Sequence, residues 1–320
     1  MNLYQQITDM FSRELASHGR AFVIYQALSG IEVKDMTIDG FPAKLFFNPA
    51  RVRSVMADVS PEALQKRACF LCPDGVEEHP LTHNWDSPTG HTYCIRVNPF
   101  PIFSPHFTVS SSVHERQELL PHLESMLHLA KELPEMTIFY NGPMCGASAP
   151  DHMHFQAVPR HSLPIEDHFS TNYANAILVQ EDDLQDHLTA VKKVLAMGTI
   201  PNEASQTGSL TIGATHAEEY EPRWNIVSWY EPDSNSPQDG LTAAGSQTSN
   251  SRRRSFNTIV FFRKESRPMC FFAPEEERIL FSPATVEMAG IGIVANRESF
   301  DRLTPTRLRD IIREVADEIV

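Results

Sequence analysis

Two histidines and a glutamine alternate within residues 152–158, in the sequence His-Met-His-Phe-Gln-Ala-Val. Because successive side chains of a β-strand point to opposite faces, His152, His154 and Gln156 are expected on one face, opposite three apolar residues. A neutral imidazole nitrogen can attack phosphorus and carry a phosphoryl group for one step, and an unperturbed pKa of roughly 6.5 leaves the ring mostly neutral in the cytosol. The glutamine amide cannot titrate, but it can donate a hydrogen bond to a phosphate oxygen. The spacing therefore favours nucleophilic chemistry at phosphorus.

A loop of small residues precedes these histidines and follows the strand formers of residues 136–140. Gly142, Gly146, Ala147 and Ser148 would let a ligand approach backbone N–H groups, which is how phosphate is often bound. Two other interpretations of the histidine pair stay open at this point. The pair could be inert on an exposed strand face, or it could bind one metal ion.

The order Asn-Gly-x-x-x-Gly-Ala-Ser followed by His-x-His-x-Gln resembles the active-site motif of the histidine-triad superfamily. It is similar to the branch with glutamine in the third place, which includes galactose-1-phosphate uridylyltransferase, diadenosine tetraphosphate phosphorylase and the GDP-hexose phosphorylases. The resemblance implies that His154 takes up a nucleoside monophosphate and that Gln156 steadies the nucleotidyl-enzyme. It also implies that Asn141, Gly146 and Ser148 contact phosphate.

A second chemical pattern is Cys69-Phe-Leu-Cys72, which a Pro-Asp-Gly turn follows. This arrangement is typical of a zinc knuckle, whereas a redox site would need a preceding strand and a following helix. Two buried free cysteines are the structural alternative. The other half of a zinc site must come from a histidine at position 83, 91, 106, 114 or 152. The family resemblance implies one structural zinc ion on Cys69, Cys72, His106 and His152, with His114 as the rival of His106.

Composition excludes several classes of protein. The 320 residues carry a formal net charge of −14 and are 41% hydrophobic, which argues against broad binding of nucleic acid or an anionic membrane. We expect no membrane span, because no apolar run approaches the required length, and no signal peptide, because the first residues, Met-Asn-Leu-Tyr-Gln-Gln, lack its pattern. Five cysteines with one close pair do not suggest a disulfide framework. We therefore expect a cytoplasmic protein, and a homodimer is one option for its oligomeric state.

The order of patterns along the chain predicts an α+β fold. The family resemblance implies two histidine-triad-like halves, each an antiparallel sheet with packed helices. Apolar residues at helical spacing predict a core helix near residues 117–132. Residues 1–175 are expected to form the catalytic half. Residues 176–320 are expected to form a degenerate half, because His-x-His does not recur there. Within it, residues 232–257 are rich in Ser, Gly, Asn, Gln and Thr, which predicts a mobile surface loop.

The leading hypothesis is a nucleotidyltransferase or nucleotide phosphorylase. His154 would attack the α-phosphorus of a nucleotide sugar or dinucleoside polyphosphate, and a phosphate acceptor would then remove the nucleotide. Arg51 and Lys264 are candidate phosphate contacts, with solvated surface charge as the alternative for each. A nucleotide sensor without turnover and a nucleotide hydrolase are the rival functions; Gln156, in place of a third histidine, makes the hydrolase less favoured.

Overall fold

An eight-stranded antiparallel sheet forms the centre of the protein. The computed structural model describes residues 1–52, 56, 58–72, 80–198, 221–233 and 253–317. Its strands are β1 (Glu32–Ile38), β2 (Phe41–Phe47), β3 (Thr82–Asp86), β4 (Thr92–Val97), β5 (Phe107–Ser111), β6 (Met136–Asn141), β7 (His154–Pro159), β8 (Ala176–Glu181), β9 (Trp224–Glu231), β10 (Ser255–Phe262) and β11 (Ile291–Val294). The large sheet has the order β3-β4-β5-β7-β6-β9-β10-β8, and a smaller sheet has the order β1-β2-β11.

Helices and short turns connect these strands. They are α1 (Leu3–Ala16), α2 (Arg20–Ala27), α3 (Pro61–Lys66), α4 (Leu123–Glu132), α5 (Pro164–Asp167), α6 (Thr171–Ala174), α7 (Leu184–Met197), α8 (Met269–Phe272), α9 (Thr285–Met288), α10 (Arg297–Arg302) and α11 (Pro305–Val315). Local sequence explains where the last helix begins. The Thr304 hydroxyl accepts a hydrogen bond from the backbone N–H of Arg307, and Pro305 occupies the first turn, where its missing N–H costs nothing.

The predicted helix near residues 117–132 is present but shorter. It begins at Leu123, so residues 117–122 lie before its first turn. Leu120 is consequently 48% exposed, although its spacing placed it on the predicted core face. Leu123, Met126, Leu127 and Ala130 are buried, because they follow the helical period on the face that packs against the sheet.

The large sheet has one mainly apolar face and one divided face. On the apolar face, side chains such as Phe155 and Ile226 pack with residues of α1, α4 and α7. On the other face, the apolar residues of β6, β9 and β10, such as Phe139 and Val227, pack with the small sheet and α11. The part formed by β4, β5 and β7 carries polar side chains, including His154. This polar part of the divided face is where chemistry can take place.

The predicted α+β class, with a large antiparallel sheet and packed helices, is confirmed. Strands from both predicted halves share the sheets, since β6 pairs with β9 and β2 pairs with β11. The division after residue 175 stays a prediction. Of the predicted loop at 232–257, residues 234–252 lie outside the described residues. None of the helices described has both the length and the apolar character that crossing a lipid bilayer requires.

Candidate functional site

Backbone hydrogen bonds and one buried side chain fix the position of His154. The residue begins β7, where it pairs with Ser110 of β5. The amide of Gln117 accepts from the His154 backbone N–H (2.8 Å) and donates to the carbonyl oxygens of His154 and Asn141 (3.0 Å each). Gln117 is fully buried. It therefore joins the start of β7 to the end of β6, a role that the sequence did not signal.

The surroundings of His154 keep its imidazole neutral. Its Nδ1 lies 2.8 Å from the backbone carbonyl oxygen of His152. Because a carbonyl only accepts, Nδ1 carries the hydrogen, and Nε2 of the neutral ring keeps its lone pair. Burial lowers the pKa of His154 to about 4, with the hydrogen bond to the His152 carbonyl opposing that shift. At neutral pH the ring is thus a base and a nucleophile with one available nitrogen.

A second buried histidine orients the amide of Gln156. Nδ1 of His106 accepts from the Ile102 backbone N–H (3.2 Å), so its Nε2 carries the hydrogen and donates to Gln156 Oε1 (2.9 Å). Asn98 Nδ2 donates to the same oxygen at 3.3 Å. Burial lowers the pKa of His106 to about 3, so this donor arrangement persists at neutral pH. With its oxygen engaged twice, Gln156 presents its NH₂ group as the part left for a ligand.

The loop before β7 depends on two glycines. Gly146 has φ of +100°, and a Cβ there would come within 2.4 Å of Ala284 Cβ. A Cβ on Gly142 would lie 2.6 Å from the Trp224 carbonyl oxygen. Both positions therefore require glycine for close contact with the C-terminal part of the chain, in addition to any role toward a ligand.

The same loop leaves backbone donors unused. The N–H groups of Gly146, Ser148 and Ala149 form no hydrogen bond with any described residue. Ser148 is half-buried, and the approach of a phosphate to these N–H groups stays a prediction. Asn141 has a structural contact, since its Oδ1 accepts from the Thr285 backbone N–H (2.9 Å), and its contact with phosphate stays a prediction. The side-chain amide of Asn141 thus holds the start of α9 to the sheet.

Two cysteines and two histidines converge beside the start of β7. Cys69, Cys72, His114 and His152 each offer one ligand atom, and these atoms lie within 4.8 Å of one another. His152 Nδ1 lies 3.3 Å from the Cys69 sulfur, 3.4 Å from the Cys72 sulfur and 3.3 Å from His114 Nδ1. The Cys72 sulfur lies 3.2 Å from His114 Nδ1. The cluster could hold a metal such as zinc.

The donor set and its spacing fit zinc. Ligands at about 2.0–2.3 Å from a tetrahedral zinc ion are roughly 3.3–3.8 Å apart, which is close to the separations found here. The other nitrogen of His152 lies 2.9 Å from the Ser111 carbonyl oxygen, which fixes the ring orientation. Burial alone would raise the pKa of the Cys69 thiol, but hydrogen bonds with His152 and with the backbone of Leu71 and Cys72 lower it to about 6. A bound zinc ion would join the loop that carries Cys69 and Cys72 to the start of β7.

The expected ligand His106 lies outside this cluster, and its rival His114 lies within it. The reason is the direction of the chain around β5. His106 precedes β5, and its two nitrogens are engaged by Ile102 and Gln156. His114 follows β5, at the strand end where Ser111 contacts His152. The two histidines therefore lie at opposite ends of β5, and only His114 is at the end next to the two cysteines. The spacing of residues in the sequence did not predict which end this would be.

The two predicted basic contacts have different surroundings. Arg51 is half-buried, donates to the Phe100 carbonyl oxygen (2.5 Å) and lines a pocket of about 200 Å³ with Asn48 and Phe100. Its charge also lowers the pKa of His106, so Arg51 lies near the partner of Gln156. Lys264 is exposed, and no contact among the described residues links its side chain to β7. Its role at the site stays a prediction.

Comparison with known proteins agrees with this architecture. Residues 10–159 match a family model described as a domain of unknown function, DUF4922. Among curated proteins, none matches the chain. The solved structure of yeast Ap4A phosphorylase Apa2 in complex with Ap4A is similar over 95% of this chain and 96% of that chain, with 14% sequence identity and a TM-score of 0.52.

A second structure of the same yeast enzyme has a TM-score of 0.48 and 13% identity, over 95% of this chain and 93% of that chain. A third, in complex with AMP, has a TM-score of 0.47 and 13% identity, over 96% of each chain. The match at a TM-score of 0.52 shows that the chain has a fold like that of yeast Ap4A phosphorylase Apa2 over nearly its whole length.

Proposed function

We propose that the protein is a nucleotidyltransferase or nucleotide phosphorylase that forms a covalent nucleotidyl intermediate on His154. The observation that carries the proposal is the state of this histidine. It is buried and neutral, its Nδ1 hydrogen is held by the His152 carbonyl, and its Nε2 lone pair is available. His106, on the same face of the sheet, has both nitrogens engaged and offers no such lone pair.

The reaction has two displacement steps. In the first, His154 Nε2 forms a bond to the α-phosphorus while the bond to the bridging oxygen breaks, and the electron pair leaves with the departing phosphate. In the second, an oxygen of an acceptor phosphate attacks the same phosphorus, and the P–N bond breaks to return the lone pair to Nε2. Neither step needs a proton from His154 when the leaving and entering groups are phosphates.

Hydrogen-bond donors around the histidine would stabilise the charge that develops on the phosphoryl oxygens. Gln156 would donate from its NH₂ group, whose orientation His106 and Asn98 fix. The unused N–H groups of Gly146 and Ser148 would supply further donors from the loop. These donors are already in place before the ligand binds, so little reorganisation is needed during the reaction.

We infer that the substrate is a dinucleoside polyphosphate or a nucleotide sugar and that inorganic phosphate or a sugar phosphate is the acceptor. The solved structure whose fold this chain shares at a TM-score of 0.52 is of a phosphorylase in complex with Ap4A. Ap4A is therefore the first substrate to test, followed by the common nucleotide sugars. Water attacking the intermediate in place of phosphate would produce slow hydrolysis through the same histidine.

Isotope exchange tests the proposal. With Ap4A, labelled ATP and no phosphate, the first step and its reversal should carry label from ATP into Ap4A. The His154→Ala variant should show no exchange, whereas His168→Ala, which removes an exposed histidine, should exchange normally. Absence of exchange in the wild type with every substrate tested would contradict the proposal. If nucleotide binding were then unchanged in His154→Ala, the protein would be a nucleotide-binding module.

A further inference from the structure

Arg96 is a buried cation on the same face of the large sheet as His154. It pairs with Thr108 across β4 and β5, and Thr108 pairs with Gln156 across β5 and β7. Because directly paired residues of neighbouring strands share a face, these three side chains form one row. Ser110 and His154 pair in the next row. Arg96 leans towards that row, since its Nη2 lies 3.2 Å from Ser110 Oγ.

The guanidinium of Arg96 uses only part of its hydrogen-bonding capacity. Nη2 donates to the Leu71 carbonyl oxygen (2.7 Å) and to the Ser110 hydroxyl. Nε is buried and has no hydrogen-bond partner in the part of the chain that is described. The residue is 6% exposed, and no described carboxylate forms an ion pair with it. A guanidinium has five N–H donors, so most of them remain for another group.

Arg263 illustrates how the same protein buries an arginine for structural purposes. Its Nε donates to the Val315 carbonyl, and its Nη1 donates to Asn225 Oδ1 (2.8 Å) and the Pro283 carbonyl (3.0 Å). Its Nη2 donates to two further carbonyl oxygens. All three nitrogens of Arg263 are thus satisfied. A buried charge with unused donors, as at Arg96, is costly unless an anion binds to it.

We propose that Arg96 binds the phosphate group that adjoins the one attacked by His154. Strands β4 and β7 are two strand spacings apart, about 10 Å, with Ser110 of β5 between them. The bond from Arg96 to Ser110, the cross-strand partner of His154, places the guanidinium next to the row that holds the imidazole. The ligand must then carry at least two consecutive phosphates, and the planar guanidinium can donate to two oxygens of one phosphate. The proposed function supplies the identity of the attacked group, but the binding itself requires no turnover.

Arg96 also has an evident structural contact, which an experiment must separate from ligand binding. Leu71 lies between Cys69 and Cys72, so the bond from Arg96 to its carbonyl supports the loop of the metal cluster. Loss of that support would affect zinc content and thermal stability. It would not depend on the number of phosphates in a ligand.

Equilibrium binding of AMP and ATP to Arg96→Gln distinguishes ligand binding by Arg96 from its structural contact with the Leu71 carbonyl. All proteins carry His154→Ala so that nothing is turned over, and calorimetry gives each Kd. Removing charge-assisted hydrogen bonds should weaken ATP binding about 10- to 100-fold and AMP binding less than about 3-fold. Arg297→Gln, which removes an exposed arginine on α10, is the control for net charge and should change neither Kd. Zinc content and the unfolding midpoint are measured on each protein.

Equal losses for AMP and ATP, or no loss for either, would overturn the assignment. Should Arg96→Gln fail to fold, Arg96→Lys keeps the charge but loses the planar donor pair, and it should still weaken ATP more than AMP. Failure of the proposed function would look different, because exchange into Ap4A would be absent while ATP still bound through Arg96.

Discussion

His152 and His154 lie two residues apart on the same stretch of chain, yet their environments give them opposite properties. His152 Nδ1 faces Cys69 and Cys72, and its Nε2 lies against the Ser111 carbonyl. Burial lowers the pKa of His152, but the contacts with Cys69 and Ser111 outweigh burial and raise it overall. The pKa of His154 is lowered to about 4. One histidine is therefore suited to a metal cluster and the other to attack on phosphorus.

The comparison teaches that the neighbouring strands, rather than the His-x-His motif itself, determine the two environments. His152 lies beside the last residue of β5, Ser111, next to the loop that carries Cys69 and Cys72. An ion pair between Arg67 and Asp151 joins that loop to the segment before β7. His154 lies within the polar part of the sheet, opposite Ser110. Stability should depend mainly on the first region and chemistry on the second.

His154→Ala should abolish catalysis without disturbing the cluster of Cys69, Cys72, His114 and His152. We expect kcat to fall at least about 1000-fold, because no other group of the described site offers an equivalent nucleophile. Zinc content and the unfolding midpoint should stay close to those of the wild type. Steady-state kinetics, metal analysis and thermal unfolding measure the three quantities. A comparable loss of zinc would contradict the division between the regions.

Cys69→Ser should remove one ligand of the proposed zinc site. Because metal-binding free energy is partly folding free energy, we expect zinc to be lost and the unfolding free energy to fall by roughly 3–5 kcal/mol. Activity should fall by about 10- to 100-fold, less than in His154→Ala, since the metal only positions β7. Metal analysis of His114→Ala and His106→Ala sharpens the test. The first should lose zinc and the second should keep it.

His106→Leu should affect Gln156 without affecting the metal. Loss of the N–H donor would free the amide to rotate and turn its oxygen towards the phosphate, so we expect kcat to fall about 10- to 100-fold with little change in KM. His106→Gln places an amide donor near the position of Nε2 and should recover part of the loss. If His106→Gln and His106→Leu were equally impaired, packing rather than orientation would explain the role of His106.

His187 lies outside both the metal cluster and the site around His154, and it should have a smaller effect, on the pH dependence of stability. Its Nε2 lies 2.8 Å from Thr258 Oγ1, and burial lowers its pKa to about 4. Below the unfolded pKa of about 6.5, the unfolded chain binds a proton that the folded protein resists, so stability falls as pH falls from 6.5 towards 4. His187→Gln should reduce the loss of unfolding free energy between pH 7 and pH 5 by about 1–2 kcal/mol. Urea unfolding at both pH values measures it, and an unchanged loss would contradict the assignment.

Local patterns were sufficient to predict some of the site. Alternation predicted that His154 and Gln156 share a strand, and Cys69 and Cys72 do face a histidine. The choice between His106 and His114 was not predictable, because it depends on which end of β5 approaches the cysteine loop. That is a property of sheet register, which no single segment determines.

The roles of two further residues, Gln117 and Arg96, were not predicted from the sequence, because each role depends on contacts between strands. Gln117 bridges two backbones, and a glutamine before a leucine-rich helix has no distinctive pattern. Arg96 did leave a signal, since it stands between Ile95 and Val97 in an otherwise apolar strand. A charged residue in such a strand is rarely buried without a purpose. That Arg96 lies in one row with Thr108 and Gln156 follows only from the pairing of the strands in the structure.

The most direct test of the central claim is the intact mass of the protein after incubation with Ap4A in the absence of phosphate. Denaturation at neutral pH should preserve the P–N bond. The wild type should gain the mass of one nucleoside monophosphate less one water, and peptide mapping should place it on His154. His154→Ala should gain nothing, and adding phosphate should remove the adduct from the wild type. An adduct that persisted in His154→Ala, or the absence of any adduct in a wild type that turns over Ap4A, would contradict the assignment of His154 as the nucleophile.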